Sequence, residues 1–303
     1  MCLKNPVEIP GGMWYTIFTK DHGGRDGMKK LQYTFKTDTL FKMLFVKHED
    51  LLQKLVAALL GISVDDIQQF DIQNPDISPE NLKDKFCRLD INMIVNGQRV
   101  DLEIQIANED DYPERVMYYW AREFSSALPA GQGYSVLPRT IIISIIDFDL
   151  FNCTEYHSFF QPLEVARHTL LSDKMGFHFF ELKKLPNEIN EDDPLLLWLS
   201  LFKAETEEEL DKIKSLEVPA MNQAINAYYS ITASPEFREV ERLREKARHD
   251  EAQALYHAKQ EGIQQGISDR SIEIARTMLA DGESVSKIMR YTGLTQGELE
   301  QCL

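Results

Sequence analysis

The chain is short of positive charge: its 303 residues hold 33 Lys and Arg against 49 Asp and Glu, a formal net charge of −16. Phosphate contact needs cationic side chains, so this balance argues against a protein that coats nucleic acid along its length. Any contact with DNA must rest on a local basic cluster or on divalent ions that bridge carboxylates to phosphates. Cysteine is scarce as well. Cys2, Cys87, Cys153 and Cys302 are scattered with no CxxC pair, which offers neither a disulfide framework nor a zinc site and suits a cytoplasmic, thiol-containing protein. No stretch approaches the roughly 20 apolar residues needed to cross a bilayer. The first thirty residues set Gly11-Gly12 and Gly23-Gly24 among charges, where a secretory signal would have an apolar run. Repeats of solenoid length and low-complexity tracts are also missing. What remains, 43% hydrophobic and 27% charged, is enough for one large domain or two modest ones.

Residues 1–30 lack periodicity and read as a poorly ordered arm. A helix is expected from about Thr37-Asp38, with Phe41, Leu44 and Phe45 on one face. After a break at His48-Glu49-Asp50 the apolar spacing resumes through Leu51, Leu55, Leu59 and Leu60 until Gly61 stops it. A short strand around Phe70-Asp71-Ile72 leads into the loop Asn74-Pro75-Asp76. From Cys87 to Val95 the odd positions are apolar; from Val100 to Ile106 the even ones are. Between the two runs sits Asn96-Gly97, the dipeptide that favours the positive φ angles of a type I′ turn.

A two-residue turn there pairs Val95 with Gln98, Ile91 with Leu102, Leu89 with Ile104 and Asp90 with Glu103. The apolar sets then share one face, which accounts for the switch of parity. A four-residue turn would also preserve parity, setting Asp90 opposite Gln105, and a three-residue turn would need a bulge. Beyond the hairpin, Asp111 and Pro113 suit the start of a helix with Val116, Trp120, Phe124 and Ala127 on one side. Ile141 to Ile146 is a continuous apolar run of strand length, as in a central buried strand. The order from Thr37 to Asp147 is therefore helix, three strands, helix, strand. Further strands are expected at about Tyr156–Leu163 and Phe177–Leu182.

Two carboxylates opposed across a hairpin repel and destabilise it. A hard divalent cation with oxygen ligands would offset that repulsion, with waters and a substrate phosphate completing its shell. The competing reading is a solvent-exposed face on which Arg88 and Asn92 dilute the repulsion.

The run from Asp38 to Asp149 resembles the PD-(D/E)XK nuclease family transposases, also called recombination-promoting nucleases. The likeness rests on Asp38-Thr39-Leu40-Phe41-Lys42 with Phe45, on Asn74-Pro75, and on Leu89-Asp90-Ile91. It continues in Leu102-Glu103-Ile104-Gln105, in Pro113-Glu114-Arg115 with Tyr118-Tyr119-Trp120, and in Ile143-Ser144-Ile145 with Asp147-Phe148. The resemblance implies an α/β, restriction-endonuclease-like αβββαβ core with a mixed central sheet. It implies a metal-dependent DNA endonuclease linked to recombination, in which Asp90 and Glu103 hold Mg²⁺ (or Mn²⁺) and Gln105 replaces the signature lysine. Asp38 falls on the helix acid of the first motif; its other reading is an N-terminal helix charge paired with Lys42. Arg115 and Tyr118 are candidates for phosphate contact, against a partly buried surface cluster. A lysine would bring fixed positive charge to the attacking water, whereas glutamine can only orient it. Arg88, Lys42 or a second metal could supply that charge. Without it the fold would serve as a weak or inactive nuclease acting as an oligomeric binding or regulatory module.

The expected layout is an arm at 1–30, a nuclease-like domain at 31–185 and a helical region at 186–303. Within the last, a charged helix runs from Pro235 to about Gln265. Ser271–Ala280, Ser284–Tyr291 and a final helix after Thr292-Gly293-Leu294 follow, with a helix-turn-helix look. The final helix, Thr295 to Gln301, has two acids and no base, so it is poorly suited to a DNA groove. The expected partners are DNA and, through the C-terminal helices, a second copy of the chain in a homodimer or higher oligomer; no membrane is expected.

Overall fold

A computed structural model describes residues 29–73, 91–108 and 110–300. The chain forms two compact units, one ending at Arg238 and the other beginning at Glu239. The first is built on six strands: β1 Phe70–Ile72, β2 Ile91–Val95, β3 Gln98–Gln105, β4 Thr140–Ile146, β5 His157–Phe160 and β6 Met175–Glu181. Their spatial order is β1-β2-β3-β4-β6-β5. β1, β2 and β3 are antiparallel, β3, β4 and β6 are parallel, and β5 runs antiparallel along the edge of β6. This is the mixed α/β class expected from the sequence.

The β2–β3 register is the one that a two-residue turn dictates, from Val95↔Gln98 to Ile91↔Leu102. Asn96 and Gly97 have φ of 50° and 75°, the positive pair of a type I′ turn. Asp90 lies outside the described residues. Alternation of side chains divides the sheet into two faces. Ile91, Met93, Val95, Val100, Leu102, Ile141, Ile143 and Ile145 pack into the main core. That core takes in α1 (Asp38–Lys47) and α2 (Glu49–Leu60), the expected helix in two pieces divided at His48. The opposite face carries Ile142, Ile146, Phe177 and Phe179, covered by Tyr112 and Val116 of α3 (Tyr112–Ser126). With both faces covered, all seven residues of β4 are buried.

The expected boundary near residue 185 is not where the units divide. α4 (Pro194–Lys203), α5 (Glu207–Lys214) and α6 (Pro219–Ala233) send Leu197, Trp198, Phe202, Leu210, Ile225 and Tyr228 into the same core as α1 and α2. The run Leu195-Leu196-Leu197-Trp198-Leu199 is apolar nearly all round, and such a helix must be buried. Of the expected arm, residues 1–28 lie outside the described residues. Lys30 forms an isolated bridge with Thr206, and Leu31 N–H donates to the Glu205 carbonyl at 2.9 Å.

α7 (Pro235–Ala280), which begins in the last residues of the first unit and makes up most of the second, is a single helix of 46 residues, where two were expected. Gly262 and Gly266 each weaken a helix interior by about 1 kcal/mol relative to alanine, and neither interrupts this one. Gly282 then ends it at the expected turn. α8 (Val285–Thr292) and α9 (Gln296–Glu300) close on a small core of Ala275, Ile288, Leu294 and Leu299. Among the described residues no helix is long and apolar enough to cross a membrane.

Candidate active site

Glu103 stands on β3 on the face that α3 covers, in register with Ser144 of β4, and is 4% exposed. Asp101 precedes it by two residues on the same face, equally buried, with Asn92 of β2 directly opposite. Two carboxylates on one face of one strand stand roughly 6–7 Å apart at the Cα. The Ser144 hydroxyl, fully buried, has no hydrogen-bond partner among the described residues. A buried hydroxyl in that state costs free energy unless something takes its bond. The donor set on this face is all oxygen, as a hard cation prefers. The described residues contain no cluster of three or more His, Cys, Asp or Glu that could hold a metal ion, so a carboxylate from elsewhere in the chain would be needed.

The first turn of α3 roofs Glu103. The Tyr112 hydroxyl donates to Glu103 Oε2 at 3.5 Å, a long contact, and the Arg115 guanidinium lies 4.9 Å from the centre of the Tyr112 ring. Arg115 thus stands beside the tyrosine that reaches Glu103. Tyr118, on the outward side of the same helix, is exposed, with Arg122 at 5.9 Å from its ring. Trp120 pins α3 to the sheet by donating its indole N–H to the Thr140 carbonyl at 3.0 Å.

Gln105 closes β3, and its Nε2 donates to the Ala107 carbonyl at 3.0 Å. Asp38 is half-buried in the first turn of α1. Lys42 is only 4% exposed, on a helix whose neighbouring Phe41 and Leu44 belong to the main core, so it is buried rather than displayed to solvent. Lys36 is also buried, bridging Asp147 at 2.6 Å and Glu205 at 3.1 Å. Asp90 and Arg88 lie outside the described residues.

Asp101 and Tyr112 were missed from the sequence. The signal for Asp101 was present in the alternation Asp101, Glu103, Gln105; nothing local marks Tyr112, because the turn that brings α3 back over β3 is a tertiary matter. A cavity of about 250 Å³ adjoins Asp101, lined among others by Gln73, Asn92, Arg99, Glu123 and Thr140. There Arg99 Nη1 donates to Glu123 Oε2 at 3.2 Å and to Ser126 Oγ at 2.8 Å.

A family model described as "PD-(D/E)XK nuclease family transposase" matches residues 35–258. A second, "Rpn/YhgA-like nuclease family, C-terminal HTH domain", matches residues 269–303. No curated protein and no solved structure matches the chain.

Proposed function

The chain belongs to the PD-(D/E)XK nuclease family transposases, and we propose that it is a metal-dependent DNA endonuclease that hydrolyses phosphodiester bonds in a recombination setting. Asp90 and Glu103 are the residues that would hold Mg²⁺ or Mn²⁺. The observation that carries this reading is the hairpin register: the described pairs run from Val95↔Gln98 to Ile91↔Leu102, the two-residue-turn register in which the sequence expectation sets Asp90 opposite Glu103. When bound, the ion supplies Lewis acidity, lowering the pKa of a water and neutralising phosphate charge.

The side chains do the rest. With Gln105 Nε2 engaged by Ala107, its amide oxygen is the group left to accept from the attacking water and orient it. Tyr112 steadies the Glu103 carboxylate, and Asp38 is a further ligand candidate. Arg115, Tyr118 and Arg88 contact phosphate, whereas Lys42 contributes charge from a buried position. The protein works in the cytoplasm as a homodimer or higher oligomer assembled through its C-terminal helices. α9, with Glu298 and Glu300 and no base, serves association rather than groove reading.

A second reading is favoured by Gln105, which carries no charge, and by the net charge of −16: a nuclease fold kept as an oligomeric binding or regulatory module. Calorimetric titration with Mg²⁺ and plasmid nicking with and without chelator decide between them. Metal-dependent nicking is expected. Metal binding without nicking would favour the second reading, and no metal binding at all would remove the carboxylate site.

A further inference from the structure

α7 is exposed on every side over residues 245–267. A helix with no neighbours there needs no apolar residues, yet it displays Leu255 at 65% exposure and, on another face, a set of four, Tyr256, Ile263, Ile267 and Ile274, at 52%, 48%, 57% and 37%. Their spacing is seven, four, seven. At about 100° per residue the four fall within about 40° of one another, a single narrow seam. All four belong to the second unit.

The seam is also symmetric about Gln265. Tyr256 and Ile274 stand nine residues to either side of it, and Ile263 and Ile267 two. Such a pattern is self-complementary under a two-fold axis between the helices at the level of Gln265, where Tyr256 meets Ile274 of the other copy and Ile263 meets Ile267. Both contacts then occur twice, as an isologous interface requires.

The charges beside the seam choose the direction. In a parallel, in-register pair each residue faces its own copy, so Arg270 meets Arg270 and Glu273 meets Glu273. In the antiparallel pair Arg270 stands opposite Gln260, and Glu273 opposite His257. Arg270 Nη1, already paired with Glu273 on its own helix at 2.5 Å, is relieved of the facing Arg270, and Lys259 of the other copy, level with Ser271, stands between Arg270 and Glu273. Glu261 and Asp269, which the two-fold axis also brings to the same level, lie on the far side of the helix from the seam.

We propose that α7 pairs antiparallel with α7 of a second copy of this chain through Tyr256, Ile263, Ile267 and Ile274. This deepens the homo-oligomer reading above by naming its surface and direction, and it does not depend on catalysis. Sedimentation of the full chain over a range of concentrations tests it. The wild type is expected to dimerise. Ile263→Glu should weaken the dimer by roughly a hundredfold or more, since two-fold symmetry removes two buried isoleucines for one substitution; Ile263→Leu should retain it. Ile263 is exposed in the single chain, so neither change threatens the fold.

Direction is read by oxidative crosslinking in a chain with Cys2, Cys87, Cys153 and Cys302 replaced by serine. The double variant Tyr256→Cys/Ile274→Cys should form covalent dimers and each single variant should not. Crosslinking of Tyr256→Cys alone would mean a parallel pair and overturn the proposal. A wild type that stays monomeric, whether the seam is bare or covered by the chain's own first unit, would overturn it too. Glu103→Gln should leave the dimer intact, so failure of the nuclease reading shows in nicking and metal binding alone.

Discussion

Glu103 is held where a carboxylate is costly: nearly fully buried, beside Asp101 on its own strand, with a long bond from Tyr112 among its contacts. Glu103→Gln keeps size and hydrogen-bonding capacity but removes the charge. Urea midpoints in chelator are expected to rise, by about 0.2–1 kcal/mol on the scale of a like-charged cross-strand pair, while metal-dependent nicking disappears because an amide is a poor ligand for a hard cation. Lower stability with cleavage intact would remove Glu103 from the site. Tyr112→Phe tests the support behind it. Losing an outer hydrogen bond to a metal ligand weakens metal affinity by about tenfold or more, so calorimetry should show that loss with the fold unchanged. Unaltered affinity would reduce Tyr112 to packing.

The β2–β3 hairpin shows how an element sets a site. Asn96 does more than adopt positive φ: its Oδ1 accepts from the backbone N–H of Gln68 at 2.8 Å and of Gln69 at 3.1 Å, and its Nδ2 donates to the Asp66 carbonyl at 2.8 Å. The turn is thereby tied to the chain entering β1. Asn96→Ala removes three bonds at about 1 kcal/mol each and adds left-handed strain, so a loss of about 3 kcal/mol in chemical denaturation is expected. A loss under 1 kcal/mol would mean that the register does not depend on this turn.

The edge pair β5–β6 is the pH-sensitive element. His157 Nε2 and His178 Nδ1 lie 3.0 Å apart. Burial, then the neighbouring His157 and Arg139, pushes His178 down to about 4; burial also lowers His157. The folded form thus binds a proton less readily than the unfolded chain, where histidine titrates near 6.5. The stabilisation is complete above about pH 6.5 and is lost as pH falls toward 4, by roughly 3 kcal/mol for the single site. Urea midpoints at pH 7 and 4.5 should differ more for the wild type than for His178→Phe, which keeps the stacking without the titration. Equal differences would clear the pair of that role.

At the scale of the whole molecule, a net charge of −16 makes any association with DNA depend on few cations and on bridging metal. Binding to a duplex should weaken steeply with added monovalent salt and be feeble in EDTA. Equal affinity with and without divalent ions, read by fluorescence anisotropy, would count against a carboxylate-centred site.

The hairpin register, the break at His48, the burial of β4 and the turns at Gly282 and Gly293 were legible in the sequence. Each is decided within a few residues: alternation has a period of two, a turn selects its own φ angles, and a β-branched apolar run has one comfortable place in a sheet. The placement of Glu103 and Gln105 on one face of β3 was legible for the same reason. Tertiary structure decided what no local pattern encodes. It drew α4–α6 into the core of α1 and α2, so the first unit runs to Arg238, and it folded Tyr112 back over Glu103. It buried Lys42, which the sequence offered as a source of charge for the site. It also carried α7 unbroken past two glycines, because an interior glycine costs a helix only about 1 kcal/mol and a helix ends where its neighbours and capping turn end it.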